Sequence, residues 1–206
     1  MRMPAPESPQ TKAPRALLWS LVAVAVLLTA AAIGLFALVS EKSGGGAQSS
    51  AAIGGPFRLA SGDRTVTDAD VRGAPFLVFF GYTHCPDVCP TTLFQMSEIF
   101  RTLGPDAKIK GLFITVDPER DTPDLVKTYA GSFDPRIIGL SGDRAAIDKV
   151  LAEYRVYARK APGANGDYTM DHSAVIYLMD RDGKFLRAFN MERPPEKAAA
   201  ELRALL

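Results

Sequence analysis

Cysteine and histidine are both scarce here, at two residues each in a chain of 206: Cys85 and Cys89, His84 and His172. A domain of about 150 residues buries roughly 68–70% of its unfolded surface. Such a domain has no need of a disulfide to fold, so the two cysteines call for another reason. Net charge is also lacking. Lys and Arg total 24 against 23 Asp and Glu, leaving +1 at neutral pH. That balance invites neither a nucleic-acid partner nor an acidic one. No internal repeat is present.

One long apolar run is what the chain does have. Leu17 to Val39 carries no charged residue, and only Ser20, Thr29 and Gly34 interrupt it weakly. About 20 apolar residues span a bilayer as a helix, and the apolar core of a cleaved signal peptide is shorter, ~7–15 residues. The run therefore reads as a retained single transmembrane helix, although Ala30-Ala31-Ala32 and Ala47-Gln48 leave cleavage open. Arg2, Lys12 and Arg15 precede it. The positive-inside bias puts the N-terminus in the cytoplasm and the rest of the chain outside. The Pro-rich start, which includes Glu7, lacks the pattern of an organelle transit peptide. A bacterial cytoplasmic membrane is expected, with the C-terminal part in the periplasm. The organisation read from the sequence is a disordered cytoplasmic tail over 1–16, an anchor over 17–39, a Gly/Ser/Ala linker over 40–55 and a domain over 56–206.

Within that domain, apolar runs alternate with helical patterns. Phe57-Arg58-Leu59 and Thr65-Val66-Thr67 read as short strands. Phe76 to Tyr82 reads as a central strand with both faces covered, and Pro90 to Leu103 as a helix stopped by Gly104-Pro105. Ile109 to Val116 is a second buried strand. A helix follows Thr122-Pro123-Asp124, with Pro123 in the favoured first position. Ile137 to Leu140 is a strand and Asp143 to Tyr154 a helix. Ala174 to Met179 and Lys184 to Phe189 form a hairpin around Asp180-Arg181-Asp182-Gly183, and Pro194 to Leu206 closes as a helix. The class is α/β, a thioredoxin-like domain with a central mixed sheet flanked by helices.

The chemistry lies where the central strand ends. Cys85 and Cys89 are separated by three residues in the turn that delivers the strand to the mouth of a helix. There the helix dipole favours thiolate over thiol. The pair could bind a soft metal, cycle between dithiol and disulfide, or form a structural bridge. A bridge across so small a loop restrains little of the unfolded chain. His84 should face away from the Cys85 sulfur and reads as a turn residue. His172, before the late hairpin, could join both thiols in a Cys/Cys/His set. Such a set suits Cu(I), with imidazole also suiting Cu(II), and it could hold zinc. Met170 reads as filling and Asp87 as a helix cap. Asp117, at a strand end on the same rim, could orient His172 from behind or cap a turn. Arg120 and Asp121 read as a local turn with an ion pair.

Together, Tyr82-Thr83-His84-Cys85-Pro86-Asp87-Val88-Cys89-Pro90, then Thr115-Val116-Asp117-Pro118-Glu119-Arg120-Asp121-Thr122-Pro123, then Asp171-His172-Ser173 resemble the SCO/SenC family in order and spacing. The resemblance runs from about Phe57 to Leu206. It implies a copper metallochaperone rather than a turnover enzyme, with Cys85, Cys89 and His172 as copper ligands and Asp117 behind them. It implies a role in assembling cytochrome c oxidase, particularly the dinuclear copper site of subunit II. Expected partners are that subunit or its assembly factors, other periplasmic copper chaperones, and lipid through the anchor. Family members are also described as thiol-disulfide reductases. The alternative function is therefore an oxidoreductase in which Cys85 and Cys89 reduce the acceptor's copper-site cysteines.

Overall fold

The computed structural model describes residues 19, 27–29, 53–163 and 166–206. The expected tail, nearly all of the expected anchor and most of the linker lie outside these residues; 19 and 27–29 are helical. Among the described residues, no helix is long and apolar enough to cross a membrane.

Ala51–Leu206 is one compact unit. It opens with a hairpin, β1 (Arg58–Ser61) and β2 (Arg64–Thr67). Next come β3 (Phe76–Gly81), helix α1 (Val88–Leu103), β4 (Lys110–Thr115), α2 (Pro123–Gly131), β5 (Ile137–Leu140) and α3 (Arg144–Tyr154). Strands β6 (Ala158–Pro162), β7 (Tyr168–His172), β8 (Ile176–Met179) and β9 (Phe185–Ala188) follow, and α4 (Pro195–Arg203) ends the chain. The main sheet has the order β5-β4-β3-β8-β9. Strand β3 runs parallel to β4 and antiparallel to β8. This is the expected thioredoxin-like mixed sheet, with β3 at its centre.

Period-two alternation decides which face each residue of β3 serves. Val78 and Phe80 join Leu112, Ile114, Ile147, Val150 and Tyr154 on one side. Leu77 and Phe79 join Leu93, Met96, Phe100 and Phe113 on the other. Every residue of β3 is buried, which is why the strand reads as an unbroken apolar run. Fully burying one such side chain is worth about 1.5–3 kcal/mol, so both layers are anchored on this strand. Helix α2 starts as its sequence predicts, with the Thr122 hydroxyl accepting from Leu125 N and Pro123 in the first turn. Asp143 caps α3 by accepting from Ala146 N.

Two expectations change. The late hairpin is confirmed at β8–β9, but a second hairpin, β6–β7, precedes it in a stretch to which the sequence assigned no element. Its strands are polar and mostly exposed, so no hydrophobic alternation announces them. The helix at the cysteine turn also begins earlier than Pro90, at Val88. Cys89 is therefore inside its first turn, and Asp87, expected to cap it, makes no side-chain capping bond.

Candidate metal centre

The thiols sit at the carboxyl end of the parallel strands, the end where open α/β sheets carry their sites. After Gly81 the chain turns sharply, and Cys85 N donates to the Tyr82 carbonyl at 3.2 Å. That turn leaves Cys85 half-buried on the rim and sends Cys89 beneath it with no exposure. Both are free cysteines. Gly81 makes room for this arrangement. A Cβ there would come within 2.7 Å of Cys89 Sγ and 2.7 Å of Phe113 Cε2.

Burial pushes the Cys89 thiol well above its ordinary range, and the neighbouring Cys85 adds to the shift. The sequence led us to expect a thiolate favoured by the helix N-terminus; for Cys89 desolvation wins instead. A metal ion reverses that balance, because it binds thiolate and displaces the proton.

His172 arrives from the other side, at the end of β7. Its ring stands edge-on to Tyr82, with centroids 5.9 Å apart at 88°. Its Nδ1 lies 3.1 Å from the Ser173 carbonyl oxygen. A carbonyl can only accept, so Nδ1 carries the proton and the Nε2 lone pair is left for a metal. The ring is half-buried. The structure thus brings the two thiols together and sets His172 beside Tyr82. Among the described residues, no three His, Cys, Asp or Glu side chains are gathered closely enough to hold a metal ion. Met170 is buried in the core, as expected of filling. His84 is exposed, with Nδ1 3.1 Å from the Thr83 hydroxyl oxygen.

The turn after β4 does more than its sequence suggested. Asp121, expected in a local ion pair with Arg120, is fully buried. It accepts from Thr83 N at 3.0 Å, the Thr83 hydroxyl at 2.5 Å and the Thr115 hydroxyl at 2.6 Å. It therefore holds the start of the cysteine loop. Asp117, also fully buried, accepts from Arg120 Nε at 2.5 Å and from the Tyr168 hydroxyl at 2.9 Å. These bonds run to the strand that carries His172 rather than to its ring. Thr83, Tyr82, Arg120 and Tyr168 escaped sequence reasoning as contributors. The only signal was a surplus of carboxylates and one arginine in a short turn. A cleft of about 810 Å³ at the opposite end of β3, lined by Phe76, Tyr154, Arg72 and Lys184 among others, is no part of this site.

The SCO1/SenC family matches residues 45–206. The chain belongs to the SCO1/SenC family. Among solved structures, this SCO1/SenC chain is similar to ScoI of Bradyrhizobium japonicum with copper bound. The two are 60% identical, with 75% of this chain and 100% of that chain covered and a TM-score of 0.72. It is also similar to copper-bound ScoI of Arabidopsis thaliana, at 35% identity, 73% and 96% coverage and a TM-score of 0.68. Among curated proteins, the mitochondrial SCO1 homolog of Homo sapiens is 39% identical over 158 residues, covering 73% of this chain and 52% of that protein. The chain thus spans about half the length of the human and mouse relatives it matches.

Proposed function

We propose that this chain is a copper metallochaperone that binds copper through Cys85, Cys89 and His172 and hands it to the dinuclear copper site in subunit II of cytochrome c oxidase. The observation that carries the reading is the donor set. The chain offers two free thiols, one of them at the rim, and an imidazole whose Nδ1 is engaged by the Ser173 carbonyl, which leaves Nε2 as its donor atom. Two thiolates and one imidazole are a soft set that favours Cu(I) and tolerates Cu(II). Family membership and the copper-bound ScoI structures support it. Asp117 acts behind these ligands through β7. The segment over 17–39 anchors the chain in a bacterial cytoplasmic membrane, and the domain works in the periplasm. Tethering raises its effective concentration beside a membrane-bound acceptor, and other periplasmic copper chaperones are the natural donors.

A second reading has one observation in its favour. Cys85 is half-exposed while Cys89 is buried directly beneath it, as an attacking thiol and a resolving thiol would be. In that reading the chain reduces the acceptor's cysteines. His172→Ala separates the two. Titrated with Cu(I) against a competing chelator, reduced and without oxygen, the full chain should bind one equivalent, and the variant should bind markedly more weakly. A variant that binds as tightly as the parent overturns the ligand set. Thiol exchange that survives in the variant while copper binding is lost assigns His172 to copper alone.

A further inference from the structure

The hairpin that carries His172 is not part of the main sheet. Strands β6 and β7 form a separate two-stranded sheet. A two-stranded ribbon is marginal by itself, so something else must fix where His172 stands. Met170 seats the ribbon in the core, and its polar and ring contacts converge on Arg120 and Tyr168. The Arg120 guanidinium carbon lies 3.7 Å from the centroid of the Tyr168 ring. Arg120 Nη1 donates to the Tyr168 carbonyl at 3.0 Å and to Asp167 at 3.3 Å. The Tyr168 hydroxyl donates to Asp117. Lys160, from the partner strand, lies over the same ring and pairs with Glu119. The whole ribbon is thus pinned to the turn over 117–121.

The same guanidinium reaches toward the site. Its carbon lies 5.8 Å from the Tyr82 ring centroid, and that ring meets His172 edge-on. Arg120 Nη2 is buried without a hydrogen-bond partner. An unpaired buried guanidinium nitrogen is costly, and here it is held between two tyrosine rings by cation–π attraction. A residue kept at that cost, touching both the His172 strand and the ring against which His172 rests, is built to fix a position.

We infer that Arg120, stacked on Tyr168, is a positioning residue that sets how far His172 can reach toward the thiols. This rests on the Cys85/Cys89/His172 ligand set proposed above. Anaerobic Cu(I) competition on the reduced full chain tests it, using the parent, Arg120→Gln, Arg120→Lys, Tyr168→Phe, His172→Ala and the double variants Arg120→Gln/His172→Ala and Tyr168→Phe/His172→Ala. Loss of a group that orients a metal ligand costs 10–100-fold in affinity. We expect about tenfold weaker binding for Arg120→Gln. Lysine should give no rescue, because an ammonium can neither fork nor stack as guanidinium does. Tyr168→Phe keeps the stacked ring and loses only the bond to Asp117, so it should fold and show a smaller loss. In the His172→Ala background, Arg120→Gln should change affinity less than about twofold, since coupled residues are not additive. Nitrogen hyperfine coupling in the Cu(II)-loaded form should change in Arg120→Gln. Equal losses in both backgrounds, or parental affinity in Arg120→Gln while His172→Ala is weakened, overturn the inference. Parental affinity in His172→Ala itself strikes down the ligand set instead. If Arg120→Gln does not fold, Tyr168→Phe decides: parental affinity and hyperfine coupling there overturn the clamp, and a loss confined to the His172 background supports it.

Discussion

Replacing Asp121 should loosen the cysteine loop and lower the stability of the domain together. The carboxylate has no exposure and accepts three hydrogen bonds, two from Thr83 and one from Thr115. Ser141 adds a fourth tie by donating to the Asp121 carbonyl at 2.6 Å, and that one survives any side-chain change. Bonds to a charged acceptor are worth about 1.5–3 kcal/mol each, which makes the gross loss large. Relief of the carboxylate's own desolvation offsets part of it. The two hydroxyls can also rotate toward other acceptors, whereas the Thr83 N–H cannot. For Asp121→Ala the net is that orphaned N–H, about 1–3 kcal/mol, plus a small cavity, so roughly 2–4 kcal/mol in all. Asp121→Asn keeps the volume but aims an amide N–H₂ at groups that donate, and should cost about 1–3 kcal/mol. Chemical unfolding of the reduced chain, followed by far-UV circular dichroism, reads the difference. For a domain of this size, 3 kcal/mol lowers Tm by roughly 6–12 °C. A parental midpoint for Asp121→Asn would refute the reasoning, because it would mean that neutral and charged forms serve Thr83 equally.

Two further outcomes follow from packing and titration. Gly81→Ala should destabilise by about 1–3 kcal/mol through overpacking and weaken Cu(I) binding, since the new methyl meets Cys89 Sγ and the Phe113 ring; anaerobic copper titration beside a denaturant melt checks both, and unchanged copper affinity would show that the thiol has room to move. On the alkaline side, burial raises Tyr129 to about 12, and burial followed by the bond to Asp117 raises Tyr168 to about 12. A raised folded value means that the folded state holds these protons while the unfolded chain releases them near pH 10. Their contribution to stability is thus fully present below about pH 10 and is lost as pH rises toward 12. The phenolate absorbance that disappears on Tyr129→Phe or Tyr168→Phe should lag behind that of free tyrosine and rise with alkaline unfolding; if that component titrates near pH 10 in the folded protein, before any loss of ellipticity, the reasoning fails.

The part of the fold that sequence makes plain is the part where one physical signal dominates. Strand β3 buries both faces, so its six residues are apolar without a break. The helices that flank it are amphipathic, with the caps of Thr122 and Asp143 where their residue types place them. The hairpin β6–β7 carries no such signal. Its residues, Ala158-Arg159-Lys160-Ala161-Pro162 opposite Tyr168 to His172, are held by charge and ring contacts to a turn distant in sequence. The site divides along the same line. Cys85 and Cys89 announce themselves as the chain's whole cysteine complement at a strand end. The role of Asp121 stays hidden, because its partner Thr83 is 38 residues away and a local reading offers it Arg120 instead. Burial also decides the state of Cys89, and a helix start in a sequence does not reveal how deep its first turn lies.

That division bears on how a carrier could hold an ion and still give it up. The thiols are fixed from below by β3, which is buried throughout, and by the buried face of α1. The histidine rides on a ribbon outside the main sheet, which buries only Met170 in the core and is otherwise held by polar and ring contacts, chiefly to one turn. Elements with few buried apolar contacts open at lower free energy than core strands. Under the copper reading, the two soft ligands stay in place while the third can leave with its ribbon, so an acceptor needs to displace only one contact before its own ligands enter. The turn over 117–121 touches both halves, through Asp121 to the cysteine loop and through Asp117 and Arg120 to the ribbon. On that reading its side chains set the balance between retention and release, and tightening the ribbon there should strengthen copper binding while slowing transfer.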